Sequence, residues 1–437
     1  MARSLKSRLL YPVDKTLYRL SAALALSVAA VLLSGCGDAG ESSGESERVA
    51  DSVLGLGYLN WRTIGDPVEG FPWVTDIAIV DLDSDGLVDV VFTEGRLNKV
   101  AWIRQVTPGV FAEFVIAEGI AGAAHVEACD LDRDGDLDLL VASMGIVTPN
   151  DQKIGSVIVL ENDGNQSFSE RVLVEGIDRV TDVQAGDLDG DGDLDLSVGA
   201  FGYFEGEVFW MENSGNWEFE SHNLLSLSGA IHTPVADVDA DGDLDIIALV
   251  SQDWEEIYLF ENRGDGSFQA RVLHGSTNKD YGSSGIQLVD MDQDGDVDIA
   301  YTNGDGFDYA TPGARRWHGV QWLENDGAGD FTFHRIGDLS GAYAPSVTDI
   351  DGDGDLDFLA TSAFNDWSDS SAVSLACYEN LGSGRFEKRI LAHAPTHLIT
   401  LEAGDLDGDG RDELVSGGFY FYPPMEHVSR VSVWDRD

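Results

Sequence analysis

Beyond residue 57 the apolar residues fall in short, β-like runs bounded by Gly, Asp and Asn, and the runs recur in a fixed order. One run leads into an acidic loop, as in Val180-Thr181-Asp182-Val183-Gln184-Ala185-Gly186. A second leaves it, as in Leu139-Leu140-Val141-Ala142-Ser143. After a variable loop a third ends in Glu-Asn-x-Gly, as in Val157-Ile158-Val159-Leu160-Glu161-Asn162-Asp163-Gly164, with similar endings at Glu212-Asn213, Glu261-Asn262, Glu324-Asn325 and Glu379-Asn380. A turn and a phenylalanine (Phe168, Phe219, Phe268, Phe331 or Phe386) open a fourth. Short strands punctuated this densely by turn residues predict an all-β fold.

The loop between the first and second runs reads Asp-x-Asp-x-Asp-Gly-x-x-Asp. It begins at Asp81, Asp130, Asp187, Asp237, Asp290 and Asp349, and a seventh copy, Asp405 to Glu413, closes with Glu. Successive copies start 49 to 59 residues apart. That period suits a four-stranded propeller blade and is far too long for the roughly nine-residue turn of a calcium β-helix. The sequence therefore predicts a seven-bladed β-propeller of four-stranded antiparallel blades over residues 57–437. After the seventh loop only two further strands fit, the last being Val431-Ser432-Val433-Trp434. Leu59-Asn60-Trp61-Arg62-Thr63-Ile64-Gly65-Asp66 is similar to the fourth-strand segment Phe331-Thr332-Phe333-His334-Arg335-Ile336-Gly337-Asp338, so an N-terminal strand is expected to complete the last blade and close the ring.

The chain of 437 residues carries a formal charge of -53, from 79 acidic and 26 basic residues. Such an excess argues against nucleic acid and anionic membranes as partners, since both need clustered Lys and Arg. Three cysteines are too few for a fold held by disulfides. Cys129 and Cys377 lie in apolar runs and read as buried small hydrophobes. Cys36 is different. Arg3, Lys6, Arg8, Lys15 and Arg19 precede an apolar run from Ala22 to Leu33, too short to span a bilayer, that has the length and flanks of a signal peptide. It ends Leu33-Ser34-Gly35-Cys36, which resembles a bacterial lipobox. The resemblance implies that residues 1–35 are removed and that Cys36 carries a lipid holding the exported chain at a membrane of the cell envelope. Residues 36–56, rich in Gly, Ser, Glu and Asp, read as a flexible tether.

The alternating carboxylates also suggest a cofactor. Calcium takes six to eight oxygen ligands, and a tightly turned loop can wrap it with acids at positions 1, 3, 5 and 9, a glycine at 6 for the turn and a carbonyl at 7. The candidate ligands are Asp81, Asp83, Asp85 and Asp89; Asp130, Asp132, Asp134 and Asp138; Asp187, Asp189, Asp191 and Asp195; Asp237, Asp239, Asp241 and Asp245; Asp290, Asp292, Asp294 and Asp298; Asp349, Asp351, Asp353 and Asp357; and Asp405, Asp407, Asp409 and Glu413. About seven structural calcium sites are expected. Without a cation such carboxylates would repel one another.

In this repeat the chain resembles the FG-GAP/VCBS family, the group that includes the integrin α-subunit propeller. Blade 1 departs from the pattern, ending its third strand Trp102-Ile103-Arg104-Gln105, and blade 7 ends Asp435-Arg436-Asp437. The resemblance implies calcium loops on one face. On the other lie the second-to-third-strand loops and the residues leading into each first strand, of which Trp73, His125, Arg179, His232, Tyr281, Tyr343 and His397 are candidate ligand contacts. These residues and the aromatics of the variable loops either recognise a ligand or pack to seal the channel mouth. No Gly-x-Ser-x-Gly or His-Glu-x-x-His is present, and no catalytic set is nominated. The sequence favours a lipid-anchored binding or adhesion module for a glycan or protein. A propeller enzyme of the polysaccharide lyase or sugar dehydratase type, and a scaffold subunit of an envelope complex, are the alternatives. Arg263-Gly264-Asp265 spells an adhesion tripeptide, but inside a turn shared by the blades.

Overall fold

Each repeat forms one antiparallel sheet, with its strands side by side in chain order. Blade 2, for example, consists of Ala123–Cys129, Asp138–Ser143, Gly155–Asn162 and Phe168–Ile177. The computed structural model describes residues 59–436 apart from residues 68, 308 and 310–312; residues 1–58, and with them Cys36, the signal segment and the tether, lie outside the described residues. Seven such sheets form a β-propeller. The first strands of neighbouring blades pack against one another round the ring, including that of blade 7 (Leu398–Gly404) against that of blade 1 (Val74–Val80), so first strands line the channel.

The last blade is closed as the sequence predicts. Leu59–Ile64 pairs antiparallel with Val431–Arg436 and stands outermost in the sheet. All five phenylalanines expected to open fourth strands do so. One blade departs from four continuous strands: the first strand of blade 4 is split into Ala230–His232 and Val235–Ala236. Pro234 sits in the gap, where it has no N–H to give to a ladder.

The core lies between blades. Second strands such as Asp138–Ser143 and Asp195–Ala200 are buried throughout, because strands cover both edges and neighbouring blades cover both faces. Val91 and Trp102 of blade 1 pack with Val126, Leu139 and Ile158 of blade 2. Val74 and Val90 pack with Val415 and Val433 across the joint between blades 1 and 7. Burying such side chains stabilises the ring by roughly 1.5–3 kcal/mol each before entropy is counted. Cys377 is buried and Cys129 half-buried; both are free thiols, as expected of small core residues.

Candidate metal centres and the channel

Each acidic loop is a ladder of side-chain turns. In blades 1 and 4 to 7 the carboxylate at position 1 accepts the N–H groups of positions 5 and 6, as Asp81 does from Asp85 (3.0 Å) and Gly86 (2.8 Å); Asp130 accepts from Gly135 and Asp187 from Gly190. Position 3 accepts from position 5, and position 5 from position 7; Asp189 and Asp191 do so at 3.0 and 2.8 Å. The turn requires left-handed backbone at position 6, where glycine has φ between +86° and +104° in all seven loops. Position 4 is left-handed too, at +55° to +80°, although Ser84, Arg133, Ala240 and Gln293 stand there in four loops. The motif assigned position 4 no role.

This backbone turns the odd-numbered side chains inward. Carboxylate oxygens of Asp81, Asp83 and Asp85 lie within 4.8 Å of one another, as do those of Asp130, Asp132 and Asp134, and of Asp290, Asp292 and Asp294. In blades 3 and 4 the converging acids are those at positions 1, 3 and 9: Asp187, Asp189 and Asp195, and Asp237, Asp239 and Asp245. Burial, then the facing carboxylates, raise the pKa values of Asp132, Asp239 and Asp292 above the usual range. Asp130 Oδ1 is buried with no hydrogen-bond partner. Asp83 Oδ1, Asp138 Oδ2 and Asp357 Oδ2 are in the same state, and hard oxygens gathered this closely, repelling one another and in these cases unsatisfied, fit a divalent hard cation.

The acid at position 9 also holds the blade together. Asp195 accepts the N–H of Leu188 at 2.9 Å and that of Asn213, on the third strand, at 2.7 Å. Burial pushes Asp195 and Asp245 up to about 6 and Asp357 and Glu413 to about 7. The partner asparagine explains the Glu-Asn ending. Asn262 Nδ2 donates to Leu244 O in its own loop (2.9 Å) and to Leu188 O in the preceding one (2.7 Å), and Asn325 repeats this with Val297 and Val238. In blade 1 Gln105 takes over: its N–H reaches Asp89 (2.7 Å), and its amide reaches Val88 O (2.8 Å) and, across the ring joint, Leu406 O (2.9 Å).

Residues 81–141, 146–198 and 237–301 match the FG-GAP-like repeat. The chain is an FG-GAP repeat protein. None of the curated proteins compared with it matches.

The channel of this FG-GAP propeller is built by a bulge. In all seven blades the register of the first strand shifts near its start, between Val74 and Asp76, Ala123 and His125, Val180 and Asp182, Ala230 and His232, and at the equivalent places in blades 5 to 7. A bulge re-aims the side chain that follows it. In blades 1 to 4 this position alternates acid and base. His125 Nδ1 lies 2.9 Å from Asp76 Oδ2, His125 Nε2 lies 3.3 Å from Asp182 Oδ1, and His232 Nδ1 lies 3.9 Å from Asp182 Oδ2. Asp76 also accepts the N–H of Val126 (2.9 Å), and Asp182 that of Thr233 (2.5 Å), the residue before Pro234. Burial opposes charge on His125, but Asp182 and Asp76 overcome it and raise the imidazole to about 10. Glu127 and Glu402 face the same imidazole, and burial pushes them up to about 7 and 8.

Of the other candidate ligand contacts, Trp73 and Tyr343 join one aromatic cluster and His397 packs against its Tyr422. Arg179 is buried, 4.6 Å from the Phe201 ring, and donates to Val147 O at 3.1 Å. Trp73 stacks on Phe419 at 5.1 Å and donates from Nε1 to Tyr420 O. Tyr343 packs on Phe364, and Tyr281 against the core between blades 4 and 5. His397 is buried beside Tyr422 O (2.9 Å), and burial pushes it down to about 4. Phe307, Phe364, Phe419 and Phe421 join Trp73 in a plug that packs loops of blades 5, 6 and 7 against blade 1. By contrast, the corresponding loops of blades 2 to 4 expose Ile146, Ile154, Phe204 and Trp254. Arg263 is held in its turn by Glu261 (2.5 Å) and by its own N–H to Ser267 O, a structural use of the adhesion-like tripeptide.

Sequence reasoning singled out His125 and His232 but not Asp76 and Asp182. The signal was available, since each of the four stands five residues before its loop's first Asp.

Proposed function

We propose that this FG-GAP propeller, an architecture that fits a binding or scaffold module, is a calcium-stiffened binding module, exported and held in the cell envelope by a lipid on Cys36, that receives a glycan or protein on the face opposite its acidic loops. The observation that carries the reading is the convergence of three carboxylates within 4.8 Å in loop after loop. Positions 1, 3 and 5 or 9 would hold calcium as a structural cofactor, and the position-9 acid, bonded to the third strand, would pass the constraint on. Sites of this extracellular type bind at roughly 10⁻⁴–10⁻³ M, which suits permanent occupancy outside the cytoplasm rather than signalling.

The ligand surface follows from the division of the opposite face. Phe307, Phe364, Phe419 and Phe421 of blades 5 to 7 are spent on the plug, whereas blades 2 to 4 present Ile146, Ile154, Phe204 and Trp254 to solvent. Exposed apolar groups on loops of a rigid scaffold suit stacking on sugars or docking a protein. The test is a glycan array and an envelope-protein pull-down with the calcium-loaded protein beside a Phe204→Ala/Trp254→Ala variant. Binding that falls at least tenfold in the variant is expected. Binding unaffected by it would move the ligand elsewhere.

A further inference from the structure

We infer that the first acidic loop carries its cation within the chain: the guanidinium of Arg104 takes the place that calcium takes in blades 2 to 7. The inference rests on the calcium reading and reduces the expected sites from seven to six.

Strand pairing fixes the equivalence. Ile103 pairs with Val90, just after the first loop, as Leu160 pairs with Leu139, Met211 with Leu196, Phe260 with Ile246, Leu323 with Ile299, Tyr378 with Phe358 and Trp434 with Leu414. The next residue is Glu161, Glu212, Glu261, Glu324, Glu379 or Asp435 in blades 2 to 7, and Arg104 in blade 1. Six loops therefore have a further acid beside them and one has a base.

The base enters the loop. Arg104 Nη2 lies 2.5 Å from Asp83 Oδ2 and 2.9 Å from Asp85 Oδ2, which are positions 3 and 5 of the converging set. The Asp83 side chain is only 1 % exposed, and its Oδ2 also accepts the Gln166 amide at 3.2 Å. The Arg104 guanidinium packs 5.5 Å from the Trp102 ring, which holds its approach. A divalent ion on these oxygens would compete for their lone pairs and sit a few ångströms from a fixed positive charge, where like-charge repulsion is strong. In the other blades the acid at this position is itself paired with an arginine or histidine (Glu161 with Arg171, Glu212 with His222, Glu261 with Arg263, Glu324 with His334, Glu379 with Arg389, Asp435 with Arg62), and blade 1 is where the side chain at this position bonds the loop's own carboxylates.

Calcium titration of the chelator-stripped chain, with bound metal counted by equilibrium dialysis, tests this. Wild type should bind six ions, Arg104→Glu seven, and Glu212→Arg five. Arg104→Gln, which also frees the loop, serves if Arg104→Glu fails to fold, and should bind seven. Seven ions on wild type, or six on the folded Arg104 variants, would overturn the inference. No ions on wild type would remove the calcium reading itself, a distinct result that takes the inference with it.

Discussion

Blades 1 and 3 place four carboxylates on the same left-handed turn, at Asp81–Asp89 and Asp187–Asp195, and both clamp the acid at position 9 to the third strand. Beside the loop they differ in Arg104 against Glu212, next to the Gln105 and Asn213 that make the clamp. In blade 1 the charge is met by a guanidinium already bonded to two of the acids; in blade 3 the neighbour is an acid, Glu212, which lies 2.9 Å from His222 Nε2 rather than on the loop's acids. The loop's shape therefore comes from its backbone and its ladder of side-chain turns, whereas the charge it faces is set by a neighbouring strand. A motif match reports the first property and is silent on the second.

Removing calcium should separate the two kinds of loop with the largest effect. At free calcium ten to a hundred times Kd, each occupied loop contributes about 1.4–2.7 kcal/mol, so chelation should lower Tm by more than about 10 °C, reversibly on adding calcium back. Scanning calorimetry with and without EGTA measures this. An unchanged Tm would mean that both kinds of loop stand without metal.

The inter-blade clamp that blades 1, 4 and 5 share is expected to matter next. Asn262→Ala bares Leu188 O and Leu244 O, and Gln105→Ala bares Leu406 O and Val88 O. Each should cost about 2–4 kcal/mol in denaturant unfolding, because buried carbonyls lose their partners. Equal losses would show that Gln105 replaces asparagine fully. A negligible loss at Gln105 would make blade 1 different in its clamp as well as in its charge.

The channel gives a smaller, pH-dependent effect. His125 is raised to about 10 among Asp76, Asp182, Glu127 and Glu402, so its contribution is complete below about 6.5 and fades as pH rises through 10. Glu127 and Glu402 bind their protons more tightly in the fold than in the unfolded chain, so their ionisation also lowers stability as pH rises. In saturating calcium, Tm should fall by a few degrees between pH 6.5 and 10, and by less in His125→Gln. A flat wild-type profile would contradict the charged clamp.

The least effect is expected at position 4. Ala240 has φ +57°, whereas blades 3, 6 and 7 have glycine there. Ala240→Gly relieves the left-handed strain but frees the unfolded chain, so chemical denaturation should show a change within about 1 kcal/mol of zero.

Most of the fold could be read in advance, because the repeat puts four strands, a turn glycine and a phenylalanine in phase. Even the closing strand was visible as a stray copy of a fourth strand. The site was visible as a set of carboxylates, but not as a set of charges. Arg104 stands outside the nine-residue motif and reaches it only through strand pairing, and Asp76 and Asp182 acquire meaning only when a bulge turns them toward His125. The split first strand of blade 4 could be suspected from Pro234, yet its use, freeing the Thr233 N–H for Asp182, depends on a neighbouring blade. The aromatic loops looked alike in sequence, and packing alone divides them into the plug of blades 5 to 7 and the exposed rim of blades 2 to 4.

The central claim is that the acidic loops of blades 2 to 7 hold calcium while the first holds arginine. The most direct measurement is a long-wavelength anomalous difference map from crystals grown in calcium. Six peaks are expected, one in each loop of blades 2 to 7, with Arg104 bridging Asp83 and Asp85 in the first. Absence of peaks from those six loops, or a seventh peak at Asp81–Asp89 with Arg104 turned away, would contradict it.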